Sequence, residues 1–143
     1  MNAKTVWKIT AADFPAHGPV VEKLGHVLRI ITRSAKLEDR QPCQYKLKDT
    51  CIELSGIDDA MSGTDDPDGR QLMIECGAAL FRLKLALKYF GCLGVVELFP
   101  DLGNTRLVAR LHHGGWLRPD SRESAMFDAM TGSVKTFRPL ARP

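Results

Sequence analysis

Apolar residues follow a helical period most persistently between Asp65 and Gly91, DDPDGRQLMIECGAALFRLKLALKYFG. Leu72, Cys76, Ala79, Leu80, Leu83 and Leu87 fall at i, i+3, i+4 spacing and predict one buried stripe. Met73, Ile74, Gly77, Ala78, Phe81 and Leu85 add apolar surface outside it, so Gln71, Glu75, Arg82, Lys84 and Lys88 mark only a narrow polar side. A helix this apolar is expected to lie centrally, covered on more than one side. Asp65 or Asp66 suits its N-cap, Pro67 its first turn and Asp68 the positive end of its dipole, and Gly91 stops it. The small residues Cys76-Gly77-Ala78-Ala79 cost some helical propensity and let a second backbone, or a flat ligand, come close.

A second amphipathic pattern, Val20, Leu24, Val27, Leu28 and Ile31 after Pro19, predicts a helix over Val20–Ala35. Before it, Pro15, Gly18 and Pro19 interrupt regular structure, so residues 1–19 read as an arm anchored by Trp7, Ile9 and Phe14. Pro42 ends any helical reading of the following loop. Gln44–Lys48 and Cys51–Ser55 then predict a β-hairpin turning at Lys48-Asp49-Thr50, and Gly56–Thr64 a polar connector. Beyond the long helix, Leu93–Phe99 and Arg106–His112 read as strands around the turn Pro100–Asn104, with Gly114 and Gly115 ending the second. Trp116 follows those glycines and is free either to cap a pocket or to pack on the sheet. A last helix is expected over Ser121–Met130, capped by Ser121 with Ala125, Met126 and Ala129 inward, and then an extended tail over residues 132–143. The order predicts an α+β fold: a mainly antiparallel sheet flanked by helices, with a long central apolar helix.

Composition narrows the class without naming a chemistry. The 143 residues, 44% hydrophobic and 26% charged, match one soluble globular domain with a core of its own. The net charge of +3 is spread along the chain and forms no dense basic run, so the charge pattern gives nucleic-acid binding no support. Nowhere do about 18 apolar residues run together, as a membrane span requires. The start, MNAKTVWKIT, lacks a signal-peptide core, and a cytoplasmic location is the expectation. The four cysteines never stand at C-x-x-C spacing and the four histidines form no H-E-x-x-H motif, so buried reduced thiols and no metal site are expected. His112 and His113 are neighbours on a predicted strand and point to opposite faces. No dinucleotide fingerprint, P-loop, nucleophile elbow or EF-hand pattern is present, and pattern alone assigns no catalytic residue.

Asp66-Pro67-x-Gly69-Arg70-x-Leu72, followed by Cys76-Gly77-Ala78-Ala79-Leu80-x-x-Leu83-x-Leu85-Ala86-Leu87 and Gly91, resembles the central helix of nitroreductase-like flavoproteins. The resemblance is narrower still to the divergent mycobacterial Acg-type subgroup, whose chains contain two nitroreductase-like halves. Arg40-Gln41-Pro42-Cys43 stands where that subgroup ends a loop of the form N-x-Q-P-W. The hairpin Tyr45-x-Leu47 and Ile52-Glu53-Leu54 follows in register, as does the strand Val95–Pro100 after the long helix. Ala129–Leu140 stands where the subgroup has an arginine-rich stretch. The similarity runs over about Leu24–Leu140, the extent of an N-terminal half, with residues 20–131 as the half domain.

The resemblance implies an FMN-dependent oxidoreductase of the nitroreductase type, taking hydride from NAD(P)H and passing it to nitro compounds or quinones. The flavin carries that chemistry, and the protein supplies orientation, hydrogen bonds and charge for the phosphate. Its cofactor-binding positions here are Lys36, Arg40, Gln41, Pro42, Arg70, Lys135 and Arg138. Gln41 either meets a flavin edge or shapes the turn. Arg70 meets a phosphate or redox partner, or pairs with Asp66 or Asp68, and Arg138 is a phosphate ligand or part of a free tail. Several family residues are replaced: Lys36 stands for a Ser, Asp39 for an Asn, Cys43 for a Trp, and Gly132-Ser133 for an arginine pair. Asp39 repels a phosphate, and Lys36 and Lys135 supply offsetting positive charge. Because such sites form between two copies of the fold, one half requires a homodimer or a separate second half. The alternative is a non-catalytic relative that sequesters flavin or serves as a stress-response interaction protein after losing the complete FMN site.

Overall fold

A computed structural model describes residues 14–35, 43–57 and 68–136, and it is α+β. Three helices and four strands follow in the order α1 (Val20–Ala35), β1 (Cys43–Leu47), β2 (Cys51–Gly56), α2 (Arg70–Tyr89), β3 (Cys92–Leu98), β4 (Leu107–Trp116) and α3 (Ser121–Thr136). All strand pairs are antiparallel and the sheet order is β1-β2-β4-β3. Helices α1 and α2 pack against one face of the sheet, and α3 packs on α2.

Helix α1 has the bounds that its amphipathic pattern predicts, and it buries Leu24, Val27, Ile30 and Ile31. Helix α2 spans 20 residues and buries Leu72, Cys76, Ala79, Leu83, Leu85, Ala86 and Leu87. Its start differs from the expected one. The N-cap is Gly69, in the left-handed conformation with φ 70° and no side-chain cap bond, while the expected caps Asp65 and Asp66 and first-turn Pro67 lie outside the described residues. At the other end Gly91, φ 79°, reverses the chain, and its carbonyl accepts the Leu117 amide at 2.8 Å.

Strand β4 runs on through Gly114 and Gly115 to Trp116, which corrects the expectation that the glycines end it. The physical reason is a bulge. Gly115 has φ 114°, and the register with β3 shifts from Gly94↔His113 to Cys92↔Trp116, so one extra residue is absorbed and pairing resumes. Gly94 serves a different need: a Cβ there would stand 3.0 Å from Leu111 Cδ1 and 3.3 Å from Leu87 Cδ1, so its absence lets α2 seat on the sheet.

The core is strongest near the end of α2. Leu24, Val27, Ile52, Leu83, Leu87, Leu111 and Phe127 meet there. Phe14 stacks on Phe90 at 4.5 Å, and Tyr89 lies 4.3 Å from Phe127, ring centre to ring centre. Burying residues of this size stabilises by about 1.5–3 kcal/mol each, so this pole holds α1, α2 and α3 together. A second cluster, Cys43, Leu54, Leu72, Cys76, Ala79, Val108 and Ala109, fills the space between the first half of α2 and the sheet.

Helix α3 also departs from expectation. Its cap is Asp120, whose Oδ1 accepts the amides of Arg122 (2.7 Å) and Glu123 (3.3 Å), so Ser121 is the first helical residue instead. Phe127 is its buried anchor with Met130 half-buried, whereas Ala125, Met126 and Ala129 are exposed. Glu123, Phe127 and Met130 share one side at i, i+4, i+7, and the large aromatic ring outweighs the small alanines in choosing it. The helix continues to Thr136, over the first residues of the stretch read as extended. No described helix is long and apolar enough to cross a membrane.

Candidate functional site

The cofactor-binding positions implied by resemblance fall at the margins of the described structure. Lys36, Arg40, Gln41, Pro42 and Arg138 lie outside the described residues, and Lys135 is placed only as backbone in the last turn of α3. Arg70 is the first residue of α2 and is exposed. Its first turn carries no acidic residue and its cap no side-chain bond, so a cation at the positive end of a helix dipole leaves local charge suited to an anion such as a phosphate. Asp68, two residues earlier and exposed, tempers that charge. Among the described residues these positions are not brought together into one site.

Among the described residues, the structure instead reveals an uncovered apolar side on α2. Ile74 is 60% and Phe81 53% exposed, Met73 flanks them, and Gly77 and Ala78 lie open between them. A Cβ built at Gly77 meets nothing within 4 Å. The small-residue run is therefore divided: Cys76 and Ala79 pack inward, while Gly77 and Ala78 serve no close packing among the described residues. The expectation of a helix covered on several sides is met on the sheet side and left open here.

Beside Phe81, a groove of about 260 Å³ runs between the second half of α2, the start of β3 and the start of α3, with Lys84, Leu85, Leu93 and Leu117 along its walls. Lys88 and Glu123 form an ion pair across it. The volume is below the ~300–1,000 Å³ of sites that enclose a drug-sized ligand. One copy of the described chain thus offers a partial wall, not an enclosure.

The sheet face away from the helices carries a different arrangement that sequence reading missed. Glu53, Arg110 and Glu97 stand side by side across β2, β4 and β3. Arg110 Nε donates to Glu53 Oε2 at 2.9 Å, Lys48 lies 3.9 Å from Glu53, and His112 Nε2 lies 3.2 Å from Glu97 Oε1. The hydrogen bond to Glu53 holds the Arg110 guanidinium pKa above its ordinary value. Alternating charges in three predicted strands were the signal for this ladder, but registers had to be known to use it. The outer pairs of the ladder, His112 with Glu97 and Arg110 with Glu97, are exposed enough to contribute little stability, and nothing in the ladder is arranged as a reaction centre.

Cys43 stands where the resembled loop has a tryptophan, and it is buried, with its Sγ 2.9 Å from Cys76 Sγ. Hydrogen bonding to Cys76, then burial, raises the pKa of Cys43. The same bond lowers that of Cys76. Sequence spacing gave no hint of this pair, which is 33 residues apart. Among the described residues no group of three or more His, Cys, Asp or Glu is placed to hold a metal.

Comparison with known proteins adds two relatives, both from Mycobacterium tuberculosis. The chain is 34% identical over 90 residues to "Putative NAD(P)H nitroreductase MT3217" of strain CDC 1551 / Oshkosh. It is equally similar to "Putative NAD(P)H nitroreductase Rv3131" of strain ATCC 25618 / H37Rv. The matched stretch is 63% of this chain and 26% of each relative, so the chain spans about a quarter of their length. No family model matches the chain.

Proposed function

We propose that this chain is a nitroreductase-like half, of the Acg type, that pairs with a second half and binds FMN at the seam. The observation that carries the reading is the 34% identity over 90 residues to two proteins named as NAD(P)H nitroreductases. The open side of α2 supports the pairing. Contiguous apolar surface is rarely left uncovered on a monomer, and a run of small residues allows two helices to approach closely. The groove beside Phe81 supports it too, since a partial wall becomes an enclosure when a second copy closes it. A bound FMN would supply the hydride chemistry with NAD(P)H as donor and a nitro compound or quinone as acceptor. In this reading Lys36, Arg40, Arg70, Lys135 and Arg138 provide positive charge for the cofactor phosphate, and Gln41 and Pro42 shape the loop at its ring.

One observation favours the second reading, a non-catalytic flavin-sequestering or stress-response interaction protein. Cys43, at the resembled tryptophan position, is buried in the core against Cys76. The two readings separate in one experiment. The purified chain is incubated with FMN, passed through gel filtration, and assayed for flavin-dependent NAD(P)H oxidation with a nitroaromatic or quinone acceptor. Co-eluting flavin with turnover supports the reductase, and co-eluting flavin without turnover supports sequestration. A chain that retains no flavin at any concentration where it self-associates overturns both flavin readings.

A further inference from the structure

The geometry points to Cys43 and Cys76 as a dithiol–disulfide couple, a site of reversible oxidation at which the chain cross-links the start of β1 to the middle of α2. Their sulfurs are 2.9 Å apart, so about 0.9 Å of approach brings them to the ~2.05 Å of an S–S bond. Neither of the other cysteines competes. Cys51 pairs across the sheet with His112, and Cys92 stands opposite Trp116 with its Sγ directed to the Phe90 carbonyl at 3.9 Å. Around the pair, Leu54, Leu72, Ala79 and Ala109 form an apolar wall, and the charges of Glu75 and Arg82 also act on the Cys43 thiol.

The co-reactant is a hydroperoxide, small enough to reach a buried sulfur when the edge of the core opens. Either thiol can donate in this contact, so the hydrogen bond stabilises whichever sulfur is deprotonated, and that thiolate attacks first. The thiolate attacks one peroxide oxygen, the O–O bond breaks, and the departing hydroxide takes up the proton released by that thiol as water, leaving a sulfenic acid. The second cysteine's sulfur then attacks the sulfenic sulfur, the S–O bond breaks, and the oxygen departs with the second thiol's proton as water. In sum two thiols and one hydrogen peroxide give one disulfide and two waters: the sulfurs lose two electrons and the peroxide gains them. Both thiols are nearly or fully buried, so the reaction waits on local opening and is slower than oxidation of the unfolded chain. The inference is independent of flavin binding.

The test uses the full chain, reduced, freed of reductant and treated with hydrogen peroxide. Trypsin places each cysteine in its own peptide, Cys43 in Gln41–Lys46 and Cys76 in Gln71–Arg82. The expected result is a mass loss of two hydrogens with those two peptides joined, reversed by dithiothreitol. The oxidised form should melt roughly 5–10 °C higher, because the cross-link closes a loop of more than thirty residues. A Cys51→Ser, Cys92→Ser chain should behave the same way. The inference is overturned by joining of any other cysteine pair or by disulfides between chains. It is equally overturned by sulfinic acid on one of the two cysteines with the other still a thiol, or by no mass loss in the folded chain after peroxide exposure far longer than that which oxidises the urea-unfolded one.

Discussion

The two sides of α2 are built from similar residues and meet different fates. Toward the sheet, Leu72, Cys76, Ala79, Leu83 and Leu87 are buried. Away from it, Met73, Ile74, Gly77, Ala78 and Phe81 are exposed on the same helix. Hydrophobicity does not separate them; what separates them is whether this chain has another element to lay against each. Helix α1, the sheet and α3 engage the first side and the C-terminal half of the helix, leaving the second side uncovered among the described residues. A residue pattern can therefore declare that a face wants cover without saying that the same polypeptide provides it.

The sharpest way to break this contrast is to cut the same helix on each side. Leu83 is fully buried among Leu24, Val27, Ile52 and Phe127, so Leu83→Ala leaves a cavity as well as losing transfer energy. It should cost about 2–5 kcal/mol in urea unfolding. Phe81→Lys, two residues earlier and half exposed, should leave the folding energy of a single copy within about 0.5 kcal/mol, as surface substitutions do. Equal losses at the two positions would show that Phe81 is covered within one chain and would abolish the distinction.

Self-association is the next largest effect. If the open side of α2 meets a second copy, Phe81 is an aromatic anchor near the centre of the contact, flanked by Ile74 and the small residues Gly77 and Ala78. Phe81→Lys should then weaken the dimer at least about 30-fold, the equivalent of a 2 kcal/mol hot spot. Sedimentation velocity across a micromolar dilution series measures this directly. A wild-type chain that remains monomeric throughout leaves the open side without the partner assigned to it.

Much of the covered side was legible because it follows from short-range pattern. The stripe of α1 gave both of its ends, and the β1–β2 hairpin and the stop at Gly91 followed from residues close in sequence. Failures came where a long-range fit decided the outcome. The Gly114-Gly115 pair reads locally as a break, yet β3 supplies a partner strand that turns it into a bulge. In α3 the inward position belongs to Phe127 because Tyr89 and Phe90 of another element surround it, which no periodicity within Ser121–Met130 reveals. The Cys43–Cys76 contact and the Glu53–Arg110–Glu97 ladder depend on register and helix placement, so spacing alone could not find them. The resemblance named positions for a cofactor, but these lie mostly outside the described residues, which form only part of a wall.

The smallest of these effects separates the two sides by charge. The core holds ionisable thiols out of water, with Cys92 at its edge beside the groove next to Phe81, whereas Met73, Ile74, Gly77, Ala78 and Phe81 carry none. Burial raises the Cys92 thiol pKa, and hydrogen bonding and then burial raise that of Cys43. A thiol whose folded pKa lies above its unfolded value keeps its proton longer in the folded chain. Between those two values the unfolded state binds fewer protons, so stability must fall with pH. The contribution is fully present below the unfolded thiol pKa of about 8.5 and is lost as pH rises through the folded value. Tyr89, raised by burial and then by Asp128, adds a loss of the same sign further into the alkaline range, and Cys76, which is lowered, opposes it in part. Urea midpoints measured in reductant should therefore hold steady from neutral pH to about 8 and decline above it. Cys92→Ala should flatten that decline, whereas Phe81→Lys should leave its slope unchanged. A decline that persists undiminished in Cys92→Ala would place the titrating groups elsewhere, such as Cys51, whose thiol burial also raises.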